Sequence, residues 1–197
     1  MIYAILLALM MGGVWIGCRF KYIHPERFPK KGPYLICPNH VRGIDPFYMA
    51  LLAWPRKMHF LGKEELFKNK LYSAILHWIG VYPVGGGGSD LKALQFAMKM
   101  LRKGERVLIF PEGRRVHPGE PDETPHSGPA MLAIREHVPV LPVYIERRKK
   151  GFRRVIVHVG EPLDLTVEGR KPTREDFDRG AEEIMRAVRA MRPAEDK

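Results

Sequence analysis

The chain has 197 residues, 45% of them hydrophobic, which suits one globular domain around a single core. Thirty-three Lys and Arg against 22 Asp and Glu leave a formal charge of +11, so the expected partners are rich in phosphate: nucleic acid, anionic lipid or a phosphorylated small molecule. The two cysteines, Cys18 and Cys37, fit neither a disulfide framework nor a paired metal-binding spacing, which favours a reducing, cytosol-facing location.

The first seventeen residues, MIYAILLALMMGGVWIG, carry no charged side chain, and Arg19 and Lys21 follow them. The basic start and small-residue cleavage site of a secretory signal are missing. A bilayer takes about 20 apolar residues, so segment 1–18 is expected to associate with a membrane, spanning it or lying in its interface. Gly12 and Gly13 weaken it as a helix, and a buried first helix of a soluble domain is the other reading. If the segment spans, Arg19 and Lys21 place the remaining domain, residues 19–197, on the cytoplasmic side.

Along the domain, GPYLICPNH reads as a short buried strand ending at His40, bounded by Gly32-Pro33 and Pro38-Asn39. Asp45-Pro46 then predicts a helix start, with an acceptor at the cap and a proline at the first helical position, running through PFYMALLAW. KMHFLGK is a second strand, and LYSAILHWIGVYPV a helix passing through Gly80 into a third. After the loop GGGGSD, Leu91, Leu94, Ala97, Met98 and Leu101 fall at helical spacing, with Gly104 as a stop. RVLIFPEG is an apolar strand ending in a charged turn, and GPAMLAIREH a helix. VPVLPVYIE and RRVIVHVGEPL are strands separated by the basic run RRKKGFRR. A final amphipathic helix begins near Thr173, with Phe177, Ala181, Ile184, Val188 and Met191 on its core face. Strands alternating with helices predict an α/β domain with a mixed, largely parallel sheet covered on both faces.

Two polar corners stand at strand ends. In the first, His40 is able to accept a proton near neutral pH, and Asp45, five residues on across the flexible Gly43, is placed to orient its ring. Neither a Gly-x-Ser-x-Gly elbow nor a cysteine with an adjacent base is present, so the nucleophile is expected to be a substrate hydroxyl. The second corner, FPEGRR, offers Glu112, Arg114 and Arg115. In parallel sheets the carboxyl ends of neighbouring strands share a crevice where ligands bind, so the corners are expected to converge. Taken singly, Asp45 reads as a helix cap and Glu112 with Arg115 as a surface ion pair.

These residues carry a resemblance. NHVRGID resembles the Asn-His-x4-Asp motif of the glycerolipid acyltransferases of the lysophosphatidic acid acyltransferase type. FPEGRR, VPVLPV and GKEELFKNKLYSAILHWIGVYPV resemble three further blocks of that family, in the same order, from about Gly32 to Ile145. The resemblance implies acyl transfer from a thioester of coenzyme A or acyl carrier protein to the free hydroxyl of a 1-acyl-sn-glycerol-3-phosphate. His40 would then be the base and Asp45 its orienting partner, without a cofactor or a metal. Arg115 and Lys63 would hold the acceptor phosphate and Glu112 and Gly113 shape the pocket; Asn39, Arg42, Gly86 and Arg114 complete the candidate binding set of this sequence. The sequence departs from the family at three of these positions. Gly86 stands where an arginine is common, Arg42 where a serine is frequent, and Arg114 where threonine is usual. The glycine run around Gly86 reads equally as a backbone cradle for an anion or as a floppy loop.

The expected partners are therefore an anionic membrane surface at the cytoplasmic face, lysophosphatidic acid or a similar lipid, and the thioester donor. RRKKGFRR suits docking to such a surface, each charge contributing about 1 kcal/mol, or is a solvated hairpin loop. One rival keeps the reaction and changes the acceptor to another lysophospholipid or lipid alcohol. A nucleic-acid-binding protein is the more distant rival, since no helix-turn-helix, zinc-finger or aromatic RNA-binding signature occurs.

Overall fold

The computed structural model describes residues 19–53, 57–84, 89–117, 119–146 and 154–194. The expected membrane-associating helix in 1–18, Gly86 and most of the basic run lie outside the described residues. Seven strands form one sheet: β1 (Arg19–Ile23), β2 (Tyr34–Pro38), β3 (Met58–Lys63), β4 (Val81–Val84), β5 (Arg106–Leu108), β6 (Val140–Ile145) and β7 (Arg154–Val159). Five helices accompany them: α1 (Asp45–Ala53), α2 (Lys70–Ile79), α3 (Ser89–Arg102), α4 (Gly128–Glu136) and α5 (Arg174–Ala190). The strand order is β1-β7-β6-β2-β5-β3-β4. Strands β2 to β6 run parallel, while β7 is antiparallel to β6 and carries β1 parallel to itself. The expected mixed, largely parallel sheet is therefore present.

All five β2 residues are buried, as a strand covered on both faces requires. Their alternation sorts them into two cores. Tyr34 and Ile36 pack with Tyr48, Met49 and Ala53 of α1, whereas Leu35 and Cys37 pack with α3, α4 and α5. Phe177, Ala181, Ile184 and Val188 bury the predicted face of α5, with Met191 packed against the same core just past the helix end. At the start of α5, Asp176 accepts from the Thr173 N–H and from Arg170 and Arg179. The Arg170 hydrogen bond, followed by that from Thr173, holds its carboxyl well below the usual range. Between α2 and β4, Gly80 has φ +98, and a Cβ there would stand 2.7 Å from the Met58 carbonyl oxygen.

The first strand is not anticipated by the sequence reading. RFKYI alternates polar and apolar residues as a strand does, but β7, the strand it pairs with, lies far along the chain. No helix among the described residues is long and apolar enough to cross a membrane.

Two buried basic groups lie at the amino ends of the parallel strands. Arg106 is 4% exposed, donates to the carbonyls of Ala53, Pro29 and Lys30, and lies 5.0 Å from the centre of the Tyr34 ring. His59 is 8% exposed and its Nδ1 has no hydrogen-bond partner. Burial, reinforced by Lys57 and Lys103, pushes the His59 pKa down to about 4.

Candidate active site

The site forms at the carboxyl ends of β2 and β5, which are neighbours in the sheet. Just beyond β2, the His40 Nδ1–H donates to Asp45 Oδ2 over 3.1 Å. The same oxygen accepts the N–H groups of Val41 and Arg42 at 2.7 and 2.6 Å, and Asp45 is fully buried. The hydrogen bonds of Asp45 Oδ2 therefore run backward into the 40–44 loop. Of the two sequence readings, a helix cap would direct them forward into α1 and a partner for His40 would direct them back, as they run here. That loop is tied at both ends, since the Asp45 N–H donates to the Arg42 carbonyl at 3.0 Å. With Nδ1 engaged by Asp45, Nε2 is the nitrogen available to take a substrate proton.

Three contacts from the β5 corner hold His40. The Phe110 ring stacks on the imidazole, 3.9 Å between centroids. Glu112, 2% exposed, accepts the His40 backbone N–H at 2.6 Å, and the Val116 N–H donates to the His40 carbonyl at 2.8 Å. The two polar corners thus interlock through the main chain on either side of His40. Gly113, at φ +66, makes the turn possible; a Cβ there would stand 2.4 Å from His126 Nε2.

The remaining predicted residues separate into three groups. Arg115 stands next to the His40–Asp45 pair: it is exposed, and its Nη1 lies 3.7 Å from the Cβ position of Gly43, directly beside the 40–45 loop. Arg42 sits half-buried in that loop. Arg114 and Asn39 are engaged elsewhere. The Arg114 guanidinium pairs with Glu120 at 3.0 Å and with Glu123, and the hydrogen bonds it donates, the one to Glu120 foremost, raise its pKa. Asn39 is 1% exposed; its amide donates to the Ile145 carbonyl at 2.9 Å and accepts the Ile145 N–H at 2.6 Å, which ties the end of β2 to the end of β6. Lys63 is the last residue of β3, in register with Val84, and Gly86 lies outside the described residues.

Sequence reasoning missed Phe110 as a support for His40, although its place before Pro111-Glu112 was a signal. It also missed Glu120 and Glu123 as the partners of Arg114. Cys37 is fully buried, and burial pushes its thiol pKa far up, so it supplies no nucleophile. Among the described residues no three His, Cys, Asp or Glu converge as a metal site.

A strand-end imidazole backed by a buried carboxylate, beside an exposed guanidinium, suits base-assisted transfer to a hydroxyl compound that carries an anion. The chain belongs to the acyltransferase family, whose model, described as Acyltransferase, matches residues 19–146. A 1-acyl-sn-glycerol-3-phosphate acyltransferase of Streptococcus pneumoniae is 28% identical over 174 residues, covering 84% of this chain and 64% of that protein. One of Bacillus subtilis is 27% identical, covering 79% of each. A lyso-ornithine lipid O-acyltransferase of Pseudomonas aeruginosa is 31% identical over 60% of this chain and 45% of its own length. The crystal structure of the 1-acyl-sn-glycerophosphate acyltransferase from Thermotoga maritima shares the fold, with a TM-score of 0.66 and 23% identity over 90% of this chain and 72% of that one.

Proposed function

We propose that the chain transfers an acyl group from coenzyme A or acyl carrier protein to the free hydroxyl of a 1-acyl-sn-glycerol-3-phosphate, giving phosphatidic acid. The observation that carries this reading is the His40–Asp45 pair, 3.1 Å apart, with Arg115 across the same loop. His40 Nε2 takes the hydroxyl proton as the acceptor oxygen attacks the thioester carbonyl. The tetrahedral intermediate collapses, the carbon–sulfur bond breaks, and the departing thiolate receives the proton from the imidazolium. Asp45 stabilises the imidazolium between these steps, and Arg115 pairs with the acceptor phosphate.

The topology supports work at a membrane surface. Because β7 and β1 run against the parallel strands, Arg19 and Arg154 lie at the same edge of the sheet as His40. The apolar segment 1–18 and the basic run after Glu146 therefore both join the domain at the catalytic edge. Anchored there, the site faces the cytoplasmic leaflet in which its lipid acceptor resides.

A second reading retains the reaction and changes the acceptor. It is favoured by the Pseudomonas aeruginosa relative, named for another lysolipid, and by the engagement of Arg114 with Glu120 and Glu123. The test is transfer from labelled acyl-CoA and acyl carrier protein to lysophosphatidic acid and to lyso-ornithine lipid, using purified protein in detergent. Labelled phosphatidic acid from wild type, reduced about 100- to 10,000-fold in a folded His40→Ala variant, supports the first reading. Product from the ornithine lipid alone selects the second. Undiminished activity in His40→Ala refutes the mechanism for both.

A further inference from the structure

Arg115 has no hydrogen-bond or ion-pair partner for its guanidinium among the described residues, so its backbone must set where it stands. That backbone belongs to the long connection 109–127 between β5 and α4, whose described residues form no helix or strand. Its fixed points are specific. The Val116 N–H is tied to the His40 carbonyl, and Arg114 Nη1 donates to the Arg115 carbonyl at 3.0 Å. Glu120 and Glu123 hold the Arg114 fork in turn.

The far side of the connection is tied to the end of α5. Asp122 bridges Arg192 Nη2 at 2.5 Å and Arg189 Nε at 3.4 Å, while Arg189 Nη2 donates to the Glu123 carbonyl at 2.6 Å. The buried Tyr144 of β6 also favours the charged form of Arg192. The three charged side chains are 16 to 30% exposed, so solvent screens them less than a surface pair. Ile184 and Val188 are fully buried, which makes α5 a rigid base for the tie.

We propose that Asp122 is a positioning residue: by clamping the connection to Arg189 and Arg192 of α5 it fixes Arg115 beside the His40 loop, and so sets affinity for the anionic end of the acceptor. Removing its charge leaves two guanidiniums facing each other without the carboxylate between them. The clamp opens, and the tie through Glu123 and Arg114 to the Arg115 carbonyl loosens. The chemical step at His40 is untouched. The inference rests on the reading of Arg115 as the phosphate ligand, and on nothing about the acyl donor.

The test uses full-length protein in detergent and the variants Asp122→Asn, Asp122→Glu and Arg192→Gln. Asp122→Asn and Arg192→Gln are expected to raise KM for lysophosphatidic acid about tenfold, with kcat and the thioester KM within about twofold of wild type. Asp122→Glu is expected to keep the wild-type KM. An unchanged acceptor KM in Asp122→Asn, or a fall in kcat alone, overturns the proposal. Trypsin cleavage after Arg115, timed by mass spectrometry, reads the clamp without any lipid: Asp122→Asn is expected to be cut faster than wild type and Asp122→Glu at the wild-type rate. If wild type acylates no lysolipid, the functional reading fails and the trypsin rates decide the clamp, equal rates overturning it.

Discussion

Acidification from pH 7 to pH 5 is expected to remove about 2 kcal/mol of folding stability through His59 alone. The ring is 8% exposed and its Nδ1 has no partner, so protonation places a charge where water does not reach it. Lys57 and Lys103 add repulsion, and Glu105, 4.0 Å from Nε2 with a side chain 45% exposed, is too distant and too well solvated to compensate. The folded-state pKa is pushed down to about 4 from the ordinary 6.5. The unfolded chain therefore takes up the proton first as pH falls. The stabilisation is complete above pH 6.5 and is lost progressively down to about pH 4, below which this group adds no further slope. The full gap corresponds to about 3 kcal/mol at 1.36 kcal/mol per pKa unit, of which about 2 fall between pH 7 and pH 5. Urea unfolding in detergent at both pH values, for wild type and His59→Phe, isolates the effect because other groups titrate equally in the two proteins. Phe retains an aromatic ring beside Phe96, whose centroid lies 5.8 Å from that of His59. Identical pH dependence in wild type and variant would refute the reasoning.

Asn39→Ala strips both partners from the buried Ile145 peptide groups and is expected to destabilise the fold by about 2–4 kcal/mol in urea titrations. Its acceptor KM should stay near wild type if Asn39 only ties β2 to β6, whereas a large KM rise with unchanged stability would show Asn39 to be part of the binding set. Gly113→Ala places a Cβ against His126 at a backbone angle of φ +66, for an expected loss of about 1–2 kcal/mol. Adding His126→Ala should recover the steric part and leave the backbone part, so a double variant no more stable than the single one contradicts the contact.

The His40–Asp45 pair was legible because both members lie within one short stretch and the strand-to-helix corner folds that stretch onto itself. The two backbone N–H groups that share Asp45 Oδ2 with His40 were not. Propensity marks a helix start, but the 40–44 loop offers two backbone N–H groups behind the buried carboxylate, and satisfying them prevails. The ion pairs of Arg114, read in the sequence as a charge of the second corner, were not legible either. Its carboxylates arrive six and nine residues later through an aperiodic connection, which no period of 2 or 3.6 reveals. Helix and strand spans were readable from such periods, whereas β1 is an edge strand whose place depends on β7.

The burial of Cys37 has a practical consequence for locating the first eighteen residues. A thiol kept protonated inside a packed core does not compete for maleimides or methanethiosulfonates while the chain stays folded. Labelling chemistry is thereby left to Cys18, the sole other sulfhydryl, at the junction between the apolar segment and the catalytic domain. In the folded chain, any thiol labelling is therefore attributable to Cys18. A spin label or environment-sensitive dye at position 18 can be followed as vesicles are added, with no cysteine having to be engineered in or out.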